Sequence, residues 1–168
     1  MTDLRIVQQV TDVPVEAVTL DFLLTPAGTL DTSQELATAV TVALGTDRLA
    51  NRDDVLPDPD SDDRRGWWGD LDAAEIHDGW PIGSRIWLLD RAKITGPGAR
   101  EGSLLARVEA YAHEALQPFI DKGICSRIAV RATRMGLDGV ELRATLFRGP
   151  EREIELRYAG LWNGIQAV

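Results

Sequence analysis

Cysteine and histidine, which build disulfides and many metal and nucleophilic sites, are scarce in this 168-residue sequence. Cys125 is the only cysteine, so an intramolecular disulfide is excluded and nothing indicates an oxidising compartment. The two histidines, His77 and His113, are far apart and have no partner at a metal-ligand spacing. The sequence therefore predicts no metal site, and it predicts Cys125 as a small buried thiol.

Positive charge is also in short supply. Lys and Arg number 18 against 27 Asp and Glu, which gives a formal net charge of −9. Nucleic acids and anionic membranes are bound by basic surfaces, and no such footprint is visible. The chain start lacks the pattern of a secretory signal, and no apolar run approaches the roughly 20 residues of a membrane span. We therefore expect a soluble protein of a reducing cytoplasm that binds neither nucleic acid nor membranes.

Motifs for catalysis are missing as well. The glycine-rich stretch 96–103 lacks the Gly-Lys-Ser/Thr ending of a phosphate-binding loop, and no Gly-x-Ser-x-Gly elbow occurs. Acids alternate over 58–62 as in a calcium loop, but Asp63 and Gly69 stand where that loop needs glycine and glutamate. With 27 acids, no particular pair can be selected for general acid–base work. The sequence predicts no catalytic residue, no cofactor and no bound metal.

Apolar periodicity organises the first part of the chain. Alternation predicts a strand over 17–24, and a shorter strand over 4–10 is its candidate partner. Thr32 opens a capping box, which predicts a helix running to about Leu44 and ended by Gly45. Its apolar stripe is predicted to consist of Leu36, Ala39, Val40 and Ala43.

Two further helices are predicted in the middle of the chain. Ser84 is the candidate cap of a short helix over 85–91, although a strand is an alternative there. Ser103 is the candidate cap of the longest helix, which has a clear amphipathic stripe. Pro118 is expected to stop or bend this helix, because proline lacks the N–H and clashes one turn back. Gly123 is expected to finish the turn. Trp80 and Trp87 are expected in the core.

Three stretches near the end of the chain alternate apolar and polar residues, over 127–133, 140–146 and 153–158. Leu137-Asp138-Gly139 is a hairpin signal between the first two. The pattern predicts a three-strand antiparallel meander with one apolar face, covered by the long helix, and one charged face where acids and bases can pair across strands. The fold class is therefore α+β, with the antiparallel sheet packed by helices, and the length fits one domain over residues 1–168.

Residues 47–78 have a different character. They hold eleven acidic residues and four arginines, and so carry −7 of the net charge. Pro57 and Pro59 interrupt any regular element. We interpret the segment at about 47–82 as a long acidic loop, and long loops of this kind are usually either functional or disordered.

The centre of this loop is the sequence Asp62-Asp63-Arg64-Arg65-Gly66-Trp67-Trp68-Gly69-Asp70. Two adjacent tryptophans carry a large apolar surface, roughly 150–250 Å² each, that is costly to leave in water. Either the rings pack on the protein's own core, or they bind another subunit, or one ring faces each way. Because Trp and Arg dominate binding hot spots, the candidate partner-binding residues are Arg64, Arg65, Trp67, Trp68 and Asp70.

The same motif, with the neighbouring segments 46–48, 83–89, 91–95 and 111–116, resembles the Mu-like phage baseplate protein family, the product of Mu late gene forty-six. The resemblance covers roughly residues 28–160, and the double tryptophan is its specific part. It implies kinship with the lysozyme-like wedge protein of contractile-tail baseplates, and hence helices on an antiparallel sheet. Those relatives often carry Glu-Pro-Arg at the end of the main helix, where this chain has Gln117-Pro118-Phe119.

The resemblance implies a structural role rather than an enzymatic one. The expected partners are other baseplate wedge, tube or sheath proteins, first in the host cytoplasm and then in the virion tail. Two alternatives are a tail-associated cell-wall hydrolase and a binding module outside any phage particle.

Overall fold

The computed structural model describes residues 6–9, 19–22, 24–29, 35–72, 75, 79–92, 104–135, 139–149 and 151–158. The predicted capping residues Thr32 and Ser103, the hairpin residues Leu137 and Asp138, and His77 lie outside these ranges. Within the described residues, no helix has both the length and the apolar character needed to cross a membrane.

The N-terminal strands form where the alternation predicts them. β1 (Ile6–Gln9) pairs antiparallel with β2 (Thr19–Phe22) in a two-stranded sheet. Helix α1 spans Glu35–Gly45, as predicted, and Val40 and Ala43 from its predicted stripe are buried. Irregular chain then leads to a short 3-10 helix, Trp68–Asp72, and later to a second one, Ile86–Leu89.

The C-terminal half is built from one helix and three strands. Helix α2 spans Leu104–Asp121, and it is followed by β3 (Arg127–Met135), β4 (Gly139–Arg148) and β5 (Glu151–Tyr158). The strands are antiparallel in the order β3-β4-β5, with a register shift beside Leu146. Helices beside antiparallel strands confirm the α+β prediction.

The core lies between α2, α1 and the inner face of this sheet. Leu116 of α2 and Leu142 and Leu146 of β4 are completely buried. Trp80 packs against the same core, with its ring 5.0 Å from that of Phe119 in an edge-to-face arrangement. The core positions of β4 are every second residue, which is the period of a strand with one buried face.

Pro118 does not stop helix α2, so the first of its two predicted effects, a stop or a bend, is wrong. The helix continues for three residues to Asp121, and Phe119 within this last turn is buried. Proline removes one hydrogen bond, but the packing of the following turn holds the helical conformation. Gly123, at a φ of 69°, ends the helix as predicted, because the left-handed conformation suits glycine.

The outer face of the sheet departs from the predicted pairing of acids with bases. The register instead places Arg131 of β3 opposite Arg143 of β4, and Arg143 opposite Arg157 of β5. An ion pair does exist along β4, where Arg143 Nη2 lies 3.2 Å from Glu141 Oε1. In this row, the register therefore places like charges, and not an acid and a base, directly opposite one another.

Candidate partner-binding surface

The irregular segment begins where α1 ends, and it is fastened there to the second 3-10 helix. Ser84 donates its backbone N–H to the Thr46 carbonyl (2.8 Å) and its hydroxyl to the Leu44 carbonyl (2.9 Å). The prediction that Ser84 caps the short helix is therefore wrong, because its hydroxyl satisfies the C-terminal end of α1 instead. Gly83 has a φ of 104°, and a Cβ there would lie 2.5 Å from the Thr46 carbonyl oxygen.

Arg85 ties three parts of the chain together. Its Nη1 lies 2.7 Å from Asp54 Oδ2 in the irregular segment, and its Nη2 lies 2.6 Å from Glu114 Oε2 on α2. Its guanidinium also stands 5.0 Å from the centroid of the Tyr111 ring. Only 14% of the Arg85 side chain and 17% of the Asp54 side chain are exposed, so this pair is largely shielded from water.

The electrostatics of this pair follow from its partners. Burial alone would raise the pKa of Asp54, but hydrogen bonds from Arg85 and the Asn51 amide, with the charges of Arg85 and Arg64, lower it overall. Burial likewise opposes the charge of Arg85, yet Glu114 and Asp54 raise its pKa above the ordinary value. Both groups therefore stay charged in the folded protein at neutral pH.

Trp87 is the buried aromatic residue against which the irregular segment packs. It is 4% exposed, and its indole N–H donates to the Arg48 carbonyl at 2.8 Å. The Arg65 guanidinium lies 4.6 Å above its ring and also bonds Asp47 Oδ2 at 2.7 Å. The buried position predicted for Trp87 is confirmed, and the indole anchors the irregular segment at two points, Arg48 and Arg65.

The two predicted arginines and Asp70 all have partners within the chain. Arg65 holds Asp47 and Trp87, as described. Arg64 donates to the Asn51 carbonyl and, at 3.0 Å, to that of Arg52. Asp70 accepts the backbone N–H of Ile82 at 3.1 Å. These side chains fix the path of the chain on either side of the two tryptophans.

The double tryptophan lies at a sharp bend between these anchors. Arg65 and Gly66 have positive φ values of 51° and 113°, and the first 3-10 helix starts at Trp68. The rings of Trp67 and Trp68 are 5.3 Å apart at an interplanar angle of 46°. Trp67 is half-buried and covers Gly69, where a Cβ would lie 2.3 Å from its ring. The two indoles therefore have different roles.

Trp68 is 79% exposed, and Leu71 is 88% exposed. In a 3-10 helix, residues three positions apart lie on the same face, so Trp68 and Leu71 form one apolar projection, here called the Trp68 knob. Asp62, Asp63 and Asp72, which are close to the knob in the sequence, are exposed acids. The surface is thus an apolar knob on an acidic background, held by internally paired arginines.

Sequence reasoning missed the residues that support the knob. Leu71 had a usable signal, namely its spacing of three from Trp68. Arg85, Asp54 and Glu114 had none, because 31 and 29 positions separate Arg85 from its two acids. Their meeting depends on the tertiary fold.

The remaining candidates for chemistry have structural explanations. In the stretch that resembles a calcium loop, Asp58 and Asp63 accept backbone N–H groups two residues ahead, at 3.1 and 2.8 Å. Among the described residues, no cluster of three or more metal-ligating side chains occurs. Cys125 is buried as predicted, and that burial raises the pKa of its thiol. His113 is exposed on α2.

The chain is similar to known phage proteins. The model of a phage protein family, described as phage protein GP46, matches residues 36–152. The chain is 40% identical over 134 residues to the baseplate protein gp46 of Escherichia phage Mu, which covers 80% of this chain and 84% of that protein. It is 36% identical over 69 residues to the Mu-like prophage FluMu protein gp46 of Haemophilus influenzae, covering 41% and 44%.

The chain therefore belongs to the GP46 family of phage proteins. The family resemblance inferred from the sequence is confirmed, and the matched region contains α1, the Trp68 knob, α2, β3 and β4.

Proposed function

We propose that this chain is a structural component of a contractile tail baseplate, in a phage or a prophage-derived particle. Membership of the family and the 40% identity to a protein named as a baseplate protein support this role. The chain would fold as one wedge-like domain over residues 1–168, assemble in the host cytoplasm, and remain in the virion tail. Its partners would be other wedge, tube or sheath proteins.

The observation that carries the proposal is the exposure of Trp68 at 79%, on a segment that three arginines hold in place. An exposed tryptophan that is already fixed in position loses little conformational entropy when it enters a partner's pocket. The chain would bind by inserting the Trp68 knob into such a pocket. Trp67, Arg64, Arg65 and Asp70 would position the knob.

This role needs no bond-making step, and we expect the protein to have no enzymatic activity. A turbidity assay on purified peptidoglycan checks the hydrolase alternative. Dose-dependent lysis that a single carboxylate substitution abolishes would overturn the structural role.

The knob is tested by co-expressing the tagged chain with the tail proteins encoded beside it and measuring which of them co-purify. Trp68→Ala should leave the melting temperature nearly unchanged, because the indole is mostly in water. It should weaken the complex by about 30-fold or more, as loss of a hot-spot tryptophan does.

Leu24→Ala is the matched control, because Leu24 is 62% exposed and lies outside the irregular segment. It should bind like the wild type. Unchanged co-purification of a folded Trp68→Ala/Leu71→Ala double variant would contradict the proposed use of the knob. A wild-type chain that co-purifies with none of the tail proteins would contradict the baseplate role itself.

A further inference from the structure

A second surface of the molecule has the opposite charge. On the outer face of the sheet, Arg131, Arg143 and Arg157 occupy directly opposed positions on three successive strands. Arg131 and Arg143 are exposed. Like charges directly opposite one another are unfavourable in a sheet, and Glu141, beside Arg143 on the same strand, compensates part of this repulsion. Acidic side chains are plentiful in the sequence, and one at the central position 143 would replace both contacts between like charges.

The basic character extends beyond this row. Near the β3–α2 end of the face, the Arg127 guanidinium lies 3.8 Å from the centroid of the half-buried Phe147 ring. The register places Arg152 of β5 on the other side of Phe147. Acidic positions on the face are fewer: Glu141 pairs with Arg143, Glu155 stands opposite Thr145, and Glu153 lies at the register shift in β5. Five arginine positions and one aromatic ring therefore share one sheet face of a protein whose net charge is −9.

We propose that the outer face of β3, β4 and β5 binds an acidic surface of a partner protein. The inference rests on the proposed baseplate role and names the chemistry of one partner. Guanidinium groups bind carboxylates through paired hydrogen bonds, and Arg and aromatic residues are enriched in the cores of protein interfaces. An acidic protein surface removes the repulsion within the row at the moment of binding.

A protein occupant fits this face better than a nucleic acid. Apart from this face, the same chain carries seven net negative charges over residues 47–78. A nucleic acid carries negative charge along its whole length, so the acidic segment would repel it. A compact acidic patch on a protein can bind the sheet face without extending to that segment.

Arg131→Glu separates a binding role from a structural one, because the two predict opposite effects. In the free protein, the new carboxylate lies opposite Arg143, so the melting temperature should rise by about 1–3 °C. In the complex, the same carboxylate faces an acidic surface, so affinity should fall by about tenfold or more. Arg107→Glu is the matched control, since it makes the same charge change at an exposed position on α2.

The experiment uses the full chain and the tail proteins encoded beside it, co-expressed and purified at low and at moderate salt. The expected result is that wild type and Arg107→Glu retain a partner, and that Arg131→Glu loses it while melting higher than wild type. Wild-type affinity should fall with salt.

Arg131→Glu binding as tightly as wild type would overturn the proposal while leaving the baseplate role intact. Loss of every partner by the wild type would overturn both. Self-association of the wild-type chain, or retention of a DNA duplex, that Arg131→Glu abolishes would show a different occupant and would also overturn it.

Discussion

The three-stranded sheet and the irregular segment 46–72 are two parts of the molecule that are stabilised in different ways. The sheet is a continuous antiparallel ladder, and its central strand β4 buries an apolar residue at every second position. The segment has no such ladder, and single side chains fasten it: Arg64 to two carbonyls, Trp87 to one carbonyl, and Arg85 to two acids. Backbone pairing depends on a pattern spread over many residues, whereas the side-chain interactions of the segment depend on a few residues. The sheet should therefore tolerate the loss of a single polar side chain, and the irregular segment should be destabilised by it.

The largest expected effect lies in the sheet core. Leu142 is completely buried on β4, so Leu142→Ala should lower the free energy of unfolding by about 2–5 kcal/mol, measured by urea denaturation. Leu71→Ala, at a position 88% exposed, should change it by less than about 0.5 kcal/mol. Equal losses would mean that the Trp68 knob is already packed in the free protein.

The irregular segment should respond most strongly to loss of Arg85. Arg85→Met leaves the largely buried Asp54 without its ion-pair partner, while Glu114 keeps Arg48 at 3.4 Å, and we expect a loss of about 2–3 kcal/mol in urea denaturation. Arg91→Met is the matched control, because its 3.3 Å pair with Asp58 is 63% and 44% exposed and should contribute about 0.5 kcal/mol or less. Similar values for both variants would refute the distinction between them.

The tight junction between α1 and the second 3-10 helix gives the next effect. Gly83→Ala adds a Cβ 2.5 Å from a backbone oxygen at a positive φ, and the loss should be about 2–3 kcal/mol by thermal or urea unfolding. Gly79→Ala also places an alanine at a positive φ, of 74°, but in open space, so it should cost about 1 kcal/mol. If Gly79→Ala proved the more costly change, the close approach at Gly83 would be unimportant.

The smallest effect concerns pH. The pKa of Asp54 is lower when folded than its ordinary value of 3.8, so its contribution is complete above that value and is lost as pH falls through the folded pKa. Wild-type stability should therefore decline on the acid side, and Asp54→Asn should flatten this decline while costing about 1 kcal/mol at neutral pH. Urea midpoints measured across the acid range test this, and parallel curves for the two proteins would contradict it.

The same contrast explains what could be predicted from the sequence. Periodicity located β1, β2, α1 and the buried residues of β4, because a repeated pattern survives local exceptions. The capping rule was wrong at Ser84, whose hydroxyl bonds a residue 40 positions away, and Pro118 does not stop its helix, because packing of Phe119 outweighs the loss of one backbone bond. Local rules describe a helix by its own residues, and these two outcomes are decided by other elements.

The candidate site was predictable only in part. The sequence predicted a bend at the tryptophan pair, which the structure shows, and the two indoles have different exposures. The inward engagement of Arg64, Arg65 and Asp70 could not be predicted, since each bonds a group 12 or more positions away. A sequence motif identifies which residues are unusual, and the fold decides which of them face the solvent.

The acids around the Trp68 knob have a consequence for the free subunit. Before assembly, the exposed indole and leucine would promote self-association of the subunit. The exposed carboxylates of Asp62, Asp63 and Asp72 oppose this association, because the negative charges of two subunits repel each other. Concentrated salt shortens the reach of that repulsion and strengthens apolar attraction at the same time. Purified subunits should therefore stay dispersed best in dilute buffers and cluster as ionic strength rises.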